Sequence, residues 1–312
     1  MGFLKWLEGI RNPFFDFIFS TITMLGEETV FMAVAIFVFW CVNKKDGYYI
    51  LSVGFIGTII NQFLKLSFRI PRPWVKDTSF TIVESARAEA TGYSFPSGHT
   101  QSSVGTFASL TWLSKKNRMK GIFIALCILV PFSRLYLGVH TPLDVFTSVG
   151  VALLLVLVLK PIFDMTEEKP RVMYVLLGVM LALALSFLLF VELFKFPDDI
   201  DPHNYRSGLK NAYTLLGAIV GMLISYPIEK KFINFDVSGK WYTQLIKVGV
   251  GLALALGVKA GLKPVLNLIF NGHNIANAIR YALVVVFAVI VWPLIFPLLK
   301  KLENKIESKR KN

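Results

Sequence analysis

The stretch "SRLYLGVHTPLDVFTSVGVALLLVLVLK" (residues 133–160) holds two kinds of chemistry in one run. From Val145 to Leu159 it is apolar but for Thr147 and Ser148. A run of that length without charge reads as a helix crossing a bilayer, because hydrocarbon leaves no backbone polar group a partner outside the segment. The first half places Arg134, His140 and Asp144 at the mouth of that helix. Ionisable groups at membrane depth are costly and are functional candidates by default.

Working outward, further apolar runs lie near 28–43, 47–66, 100–114, 120–139, 142–160, 172–194, 212–228, 245–262 and 281–299, with a shorter segment from Pro13 to Leu25 before them. The whole chain is 54% hydrophobic, with the excess gathered in blocks. This predicts an all-α, polytopic transmembrane helical bundle. We divide it into a six-helix core over 1–164 and a region of about four further helices over 165–312 that carries no recognisable motif. The opening "MGFLKWLEGIRNP" lacks the apolar core and cleavage site of a signal peptide. Phe3, Leu4, Trp6, Leu7 and Ile10 fall on one side of a helix, which suits a short interfacial element.

The formal charge is +13, and its distribution decides what it means. Cations crowd at Lys44–Lys45, in "SKKNRMK" (114–120), at Lys160, Lys169 and Arg171, at Lys230, Lys231 and Lys240, and in the tail. If the Pro13–Leu25 segment runs outward from the cytosol, every one of these clusters falls inside, as the positive-inside rule asks. A nucleic-acid face is thereby disfavoured. The same reading puts both termini in the cytoplasm of what composition suggests is a bacterial inner membrane. It leaves loop 69–97 outside, where Arg69, Arg72, Lys76 and Arg87 are retained against the bias. An anionic ligand accounts for them. Cys41 and Cys127 lie in separate apolar spans and suggest neither a disulfide nor a metal site.

Three stretches come out at one membrane face: "KLSFRIPRP" (65–73), "PSGH" (96–99) and "SRLYLGVHTPLD" (133–144). Each alone has a plain structural reading: lysines and arginines snorkel, and Ser97 is a good helix N-cap. Together they gather Lys65, Arg72 and Arg134 with His99 and His140, a cationic set that a phosphate group would relieve. The chemistry then assigns roles. His140 and Asp144 are four apart and share a helix face, so Asp144 can hold one ring nitrogen and leave the other bare as a nucleophile on phosphorus. His99 can donate a proton to the departing alkoxide. Lys65, Arg72 and Arg134 grip the non-bridging oxygens. Gly98 allows close approach, and with Ser97 it forms an anion cradle at a helix N-terminus. No metal and no cofactor are required.

The order Lys65…Arg72-Pro73, Pro96-Ser97-Gly98-His99, Ser133-Arg134…His140…Asp144 resembles the signature of the type-2 phosphatidic acid phosphatase superfamily. The resemblance covers about residues 10–162 and implies a metal-independent integral-membrane lipid phosphatase acting through a phosphohistidine on His140, with His99 as acid. The layout is similar to the sphingosine-phosphate phosphatase and glucose-6-phosphatase branches. Phosphatidic acid, phosphatidylglycerophosphate, lysophosphatidate, sphingoid-base phosphates and prenyl diphosphates all fit as lipid phosphate substrates, drawn from among the membrane lipids. A competing reading is a transporter or flippase that binds a phosphate headgroup without cleaving it, motivated by the C-terminal helices.

Two further features read as structural. "DDIDPHN" (198–204) is a solvated acidic loop. The glycines of "GVGLALALGVKAGLK" (249–263) permit close helix packing or a homodimer.

Overall fold

A computed structural model describes residues 1–311. Helices dominate it, and among the described residues there is no strand. In chain order the α-helices are α1 (Gly2–Gly9), α2 (Pro13–Thr23), α3 (Glu28–Cys41), α4 (Lys44–Phe68), α5 (Pro73–Lys76), α6 (Gly98–Leu113), α7 (Asn117–Tyr136), α8 (Pro142–Glu168), α9 (Arg171–Leu193), α10 (Pro202–Ile228), α11 (Trp241–Ile269), α12 (Ile275–Val286) and α13 (Phe296–Lys311). Among the described residues seven helical segments are long and apolar enough to cross a membrane, and the bent pair Pro13–Gly26 and Glu28–Cys41 would make an eighth if it is one span. The chain is a multi-pass integral membrane protein. Its 16-residue α6 is about 24 Å long at 1.5 Å per residue, a little short of a full hydrocarbon thickness.

The chain forms two compact units that interleave along it: residues 1–34, 49–164 and 194–208 in one, and 35–48, 165–193 and 209 onward in the other.

In the first unit, α6 and α7 pack together as an antiparallel pair joined by a short basic link. Capping residues set where the helices begin. Asn12 accepts from the Phe15 N–H at 3.1 Å with Pro13 at the first helical position, and Ser97 accepts from the Thr100 N–H at 3.3 Å. α7 closes into a turn at Gly138, whose φ of 80° is one that side chains rarely adopt.

The N-terminal stretch departs from the sequence reading. α2 and α3 meet at a bend of 52°. Their partners lie toward the C-terminal end of α7: Arg11 donates to the Tyr136 carbonyl, Thr23 meets Arg134, and Gly26 lies against Val130. Leu4 and Leu7 are buried with Phe80, Ile82, Leu137 and Val139, and Lys5 pairs with Asp77 at 2.9 Å. α1 therefore sits on the face that carries loop 69–97. The sequence reading has that segment cross outward from a cytosolic N-terminus; the contacts instead place α1 beside loop 69–97. Propensity and hydropathy mark an apolar segment, but they do not distinguish a hairpin from a bend.

In the second unit, Gly217 and Gly221 of α10 lie against Ala278 and Ala282 of α12, so close that any Cβ would collide with backbone. On α11, Gly251 receives Trp40 and Trp292, while among the described residues no neighbour comes within 4 Å of where a Cβ on Gly249, Gly257 or Gly261 would stand. Glycines thus serve close packing at Gly251 of α11 and at Gly217 and Gly221 of α10. Lys247 is buried, and its ammonium donates to the carbonyls of Asp236, Val237 and Ser238 at 3.0, 3.3 and 3.0 Å. Lys44 pairs with buried Glu229 at 2.8 Å.

Candidate active site

Five short pieces of the first unit supply the site: the end of α4, the loop from Arg69 to Ser97, the start of α6, the end of α7 and the turn into α8. Arg72 precedes α5, whose Pro73 occupies the first helical position. Arg72 is 6% exposed, and all three guanidinium nitrogens have partners. Nε donates to the Gly92 carbonyl at 3.1 Å, Nη2 to Thr91 at 2.6 Å, and Nη1 to Val139 at 2.9 Å. Nη1 also lies 2.8 Å from His140 Nε2. Lys65, equally buried, donates to the Tyr93 carbonyl.

Arg134 is wholly buried. Nη1 donates to Thr23 Oγ1 at 2.7 Å, while Nε and Nη2 have no partner. These are two donors of a planar fork held ready in a region where unpaired polar groups are costly.

A guanidinium has no acceptor. The Arg72 contact therefore fixes His140 Nε2 as the bare nitrogen and puts the ring proton on Nδ1. Nδ1 stands 3.4 Å from Asp144 Oδ2 without a hydrogen bond. The expected tight His140–Asp144 bond is not made, because Asp144 Oδ2 already accepts from Ser94 Oγ at 2.6 Å and from the Thr141 N–H at 2.7 Å. Burial first, then the charges of Arg72, Arg134 and Lys65 and the neighbouring His99, hold the His140 imidazole well below its ordinary pKa. The ring is thus neutral in the ligand-free protein.

The α6 N-terminus is tied to the same carboxylate residue. The Ser97 N–H donates to the Asp144 carbonyl at 3.2 Å, and Ser148 Oγ, on α8, bridges the Ser97 and Asp144 carbonyls at 2.9 and 3.0 Å. Ser97 Oγ is spent on the helix cap. Gly98, as first helical residue, keeps an N–H with no intrahelical acceptor. His99 Nε2 is buried and unpartnered, with its backbone fixed by Gly26, where a Cβ would fall 2.9 Å from the His99 carbonyl oxygen.

All eight residues singled out in the sequence lie in this one unit. Three partners escaped that reading: Ser94, Thr23 and the carbonyls of 91–93. Ser94 is buried and opens the same "SFPSGHT" as Ser97, a signal that was present. Thr23 had none, since it meets Arg134 across 111 residues. Among the described residues no three His, Cys, Asp or Glu side chains converge as metal ligands, and "DDIDPHN" is no exception.

Residues 46–168 match the PAP2 superfamily, and residues 213–305 match the transmembrane extension of PAP2 superfamily phosphatases. A probable sphingosine-1-phosphate phosphatase of Dictyostelium discoideum is 31% identical over 160 residues, 47% of this chain and 38% of that protein. Undecaprenyl-diphosphatase BcrC of Bacillus subtilis (strain 168) is 32% identical over 113 residues, 36% of this chain and 55% of that protein. Phosphatidylglycerophosphatase B of the same organism is 29% identical over 164 residues, 48% of this chain and 76% of that protein. The chain thus spans well under two thirds of the first two relatives. No solved structure matches. The three motifs of the site all lie within the matched core, the extension follows it in the same chain, and the protein belongs to the PAP2 superfamily.

Proposed function

We propose that this protein is an integral-membrane lipid phosphatase that cleaves a phosphomonoester, or the terminal phosphate of a prenyl diphosphate, through a phosphohistidine on His140. The observation that carries the reading is the bare His140 Nε2 held 2.8 Å from Arg72 among three buried cations. A binding-only site, as in a headgroup transporter, needs the cations but has no use for a nucleophile of fixed tautomer. The relatives' named substrates (sphingosine-1-phosphate, undecaprenyl diphosphate, phosphatidylglycerophosphate) share a phosphate on a long apolar chain.

In this mechanism the phosphate displaces the carbonyls from Lys65 and Arg72 and takes the free donors of Arg134 and the Gly98 N–H. Neutralised oxygens admit the Nε2 lone pair to phosphorus. The P–O bond to the lipid breaks as the N–P bond forms, and His99, protonated beside the bound dianion, gives its proton to the leaving oxygen. Asp144 steadies the positive charge that develops on His140. In the second half, His99 takes a proton from water as its oxygen attacks phosphorus, and the N–P bond breaks to restore His140. The three cations supply the charge stabilisation for which other phosphatases use metal ions, so the reaction is metal-independent. The basic clusters favour a site at the outer face, in a membrane that composition suggests is a bacterial inner membrane. We assign catalysis to residues 1–164.

Phosphate release by the detergent-solubilised protein tests this, with chelator present throughout. The panel is phosphatidic acid, phosphatidylglycerophosphate, sphingosine-1-phosphate, undecaprenyl diphosphate and glucose-6-phosphate. Release by wild type and none by His140→Ala is expected. Lipid binding without release from any substrate would favour the transporter reading.

A further inference from the structure

Asn61 lies on α4 one turn before Lys65, so the two side chains share a face. It is 3% exposed, and neither its Oδ1 nor its Nδ2 has a hydrogen-bond partner. Oδ1 falls 3.9 Å from where a Cβ on Gly98 would stand, so the amide rests against the first residue of α6. Buried side-chain amides are nearly always paired, and one left unpaired lowers stability. At membrane depth the cost is not relieved by bulk water.

The neighbours along the α4–α6 seam do not satisfy it. One turn deeper, Gly57 receives the amide of Gln101, whose Nε2 is itself unpartnered. A rotation that paired these two would use Asn61 Oδ1 as acceptor and still leave Nδ2 free. Deeper again, Gly105 meets the Val53 side chain, which offers no acceptor. The unpaired amide therefore sits at the end of the seam where α4 carries Lys65 one turn on and α6 begins at Gly98.

We infer that Asn61 Nδ2–H is a further ligand to the oxyanion of the substrate phosphoryl group, between Lys65 and the start of α6; this rests on the phosphatase reading above. A neutral amide suits that place. Lys65, Arg72 and Arg134 already repel one another, and an amide adds a hydrogen bond to the phosphate without adding a fourth cation.

The test compares full-length wild type, Asn61→Leu and Asn61→Ala in detergent. Three quantities are read: ligand-free Tm, orthovanadate affinity from inhibition and thermal shift, and kcat/KM. The expected result is vanadate affinity and kcat/KM at least about 10-fold lower in both variants, the worth of one hydrogen bond to a charged group. Asn61→Leu should at the same time raise Tm, because it removes the unpaired amide. A folded variant whose vanadate affinity stays within about twofold of wild type overturns the inference, at the hydrogen-bond scale just used. A Tm lowered in both variants also overturns it, since the amide would then be structural. If wild type itself neither turns over nor binds vanadate, the phosphatase reading has failed and takes this inference with it.

Discussion

Arg72 Nη1 lies 2.8 Å from His140 Nε2, and the same guanidinium holds the carbonyls of Thr91, Gly92 and Val139. One side chain thus sets the tautomer of the candidate nucleophile and the path of two loop segments. Both duties need a planar fork with several donors, which an ammonium lacks. Arg72→Lys should therefore lower kcat/KM by about 100-fold, roughly the 2.7 kcal/mol scale of losing a preorganised oxyanion donor. Steady-state kinetics on the best lipid phosphate checks this; a loss below about threefold, under 1 kcal/mol, would mean that charge alone suffices.

Ser94→Ala removes one of the two short hydrogen bonds to Asp144 Oδ2. A buried carboxylate deprived of a partner costs about 1–3 kcal/mol. Tm should fall, and kcat should drop with little change in KM, because in the proposed mechanism Asp144 acts on His140 and not on the substrate. A change confined to KM would place Ser94 on the ligand instead.

How far the site could be read from sequence depends on which link of the chain carries the information. Lys65, Arg72, His99, Arg134, His140 and Asp144 were legible because ionisable residues stand out against apolar helices. Their convergence followed from spans that end at one face. The detail of the His140–Asp144 pair was not legible: four-residue spacing predicts a shared face, but Ser94 and the Thr141 N–H compete for the same oxygen. Backbone carbonyls, here those of Thr91, Gly92 and Tyr93, leave no mark in a sequence. The ten apolar segments were located well, while the 52° bend at Gly26 left no mark, since hydropathy carries no angle.

Gly26→Val should separate the two histidines. A side chain there meets the His99 carbonyl oxygen and Val130 Cγ1, each at 2.9 Å, so α3 or the start of α6 must shift. His99 would move while His140, held by Arg72 and the α8 turn, stays. Turnover of an alkyl phosphate, whose leaving group needs a proton, should fall far more than that of an activated aryl phosphate. Equal losses on both would remove His99 from the acid role.

Acid should destabilise the ligand-free protein through His140. Its folded pKa is depressed by burial and by Arg72, Arg134 and Lys65, whereas the unfolded value is about 6.5. Below that pH the unfolded chain binds the proton more readily than the fold does, so stability is present above about 6.5 and is lost as pH falls. The Tm of wild type should drop between about pH 7 and pH 5, which brackets that value, and His140→Asn should flatten the slope. An unchanged slope in the variant would assign acid sensitivity elsewhere.

The N-terminal helix gives a test of topology that needs no substrate. α7 rises from Asn117 to Tyr136, about 30 Å at 1.5 Å per residue, and α1 packs beside its far end, with Leu7 buried against Leu137 and Val139. In a background with Cys41 and Cys127 replaced by serine, Gly2→Cys and Thr78→Cys should react with an impermeant maleimide from one side of sealed vesicles. Arg118→Cys should react from the other. Labelling of Gly2→Cys together with Arg118→Cys would put the N-terminus on the cytosolic side, opposite loop 69–97. The expected pattern instead puts Phe3 and Trp6, both exposed on α1, at the headgroup layer of the same face as His140. There the helix would anchor loop 69–97 to the surface from which a lipid phosphate must enter.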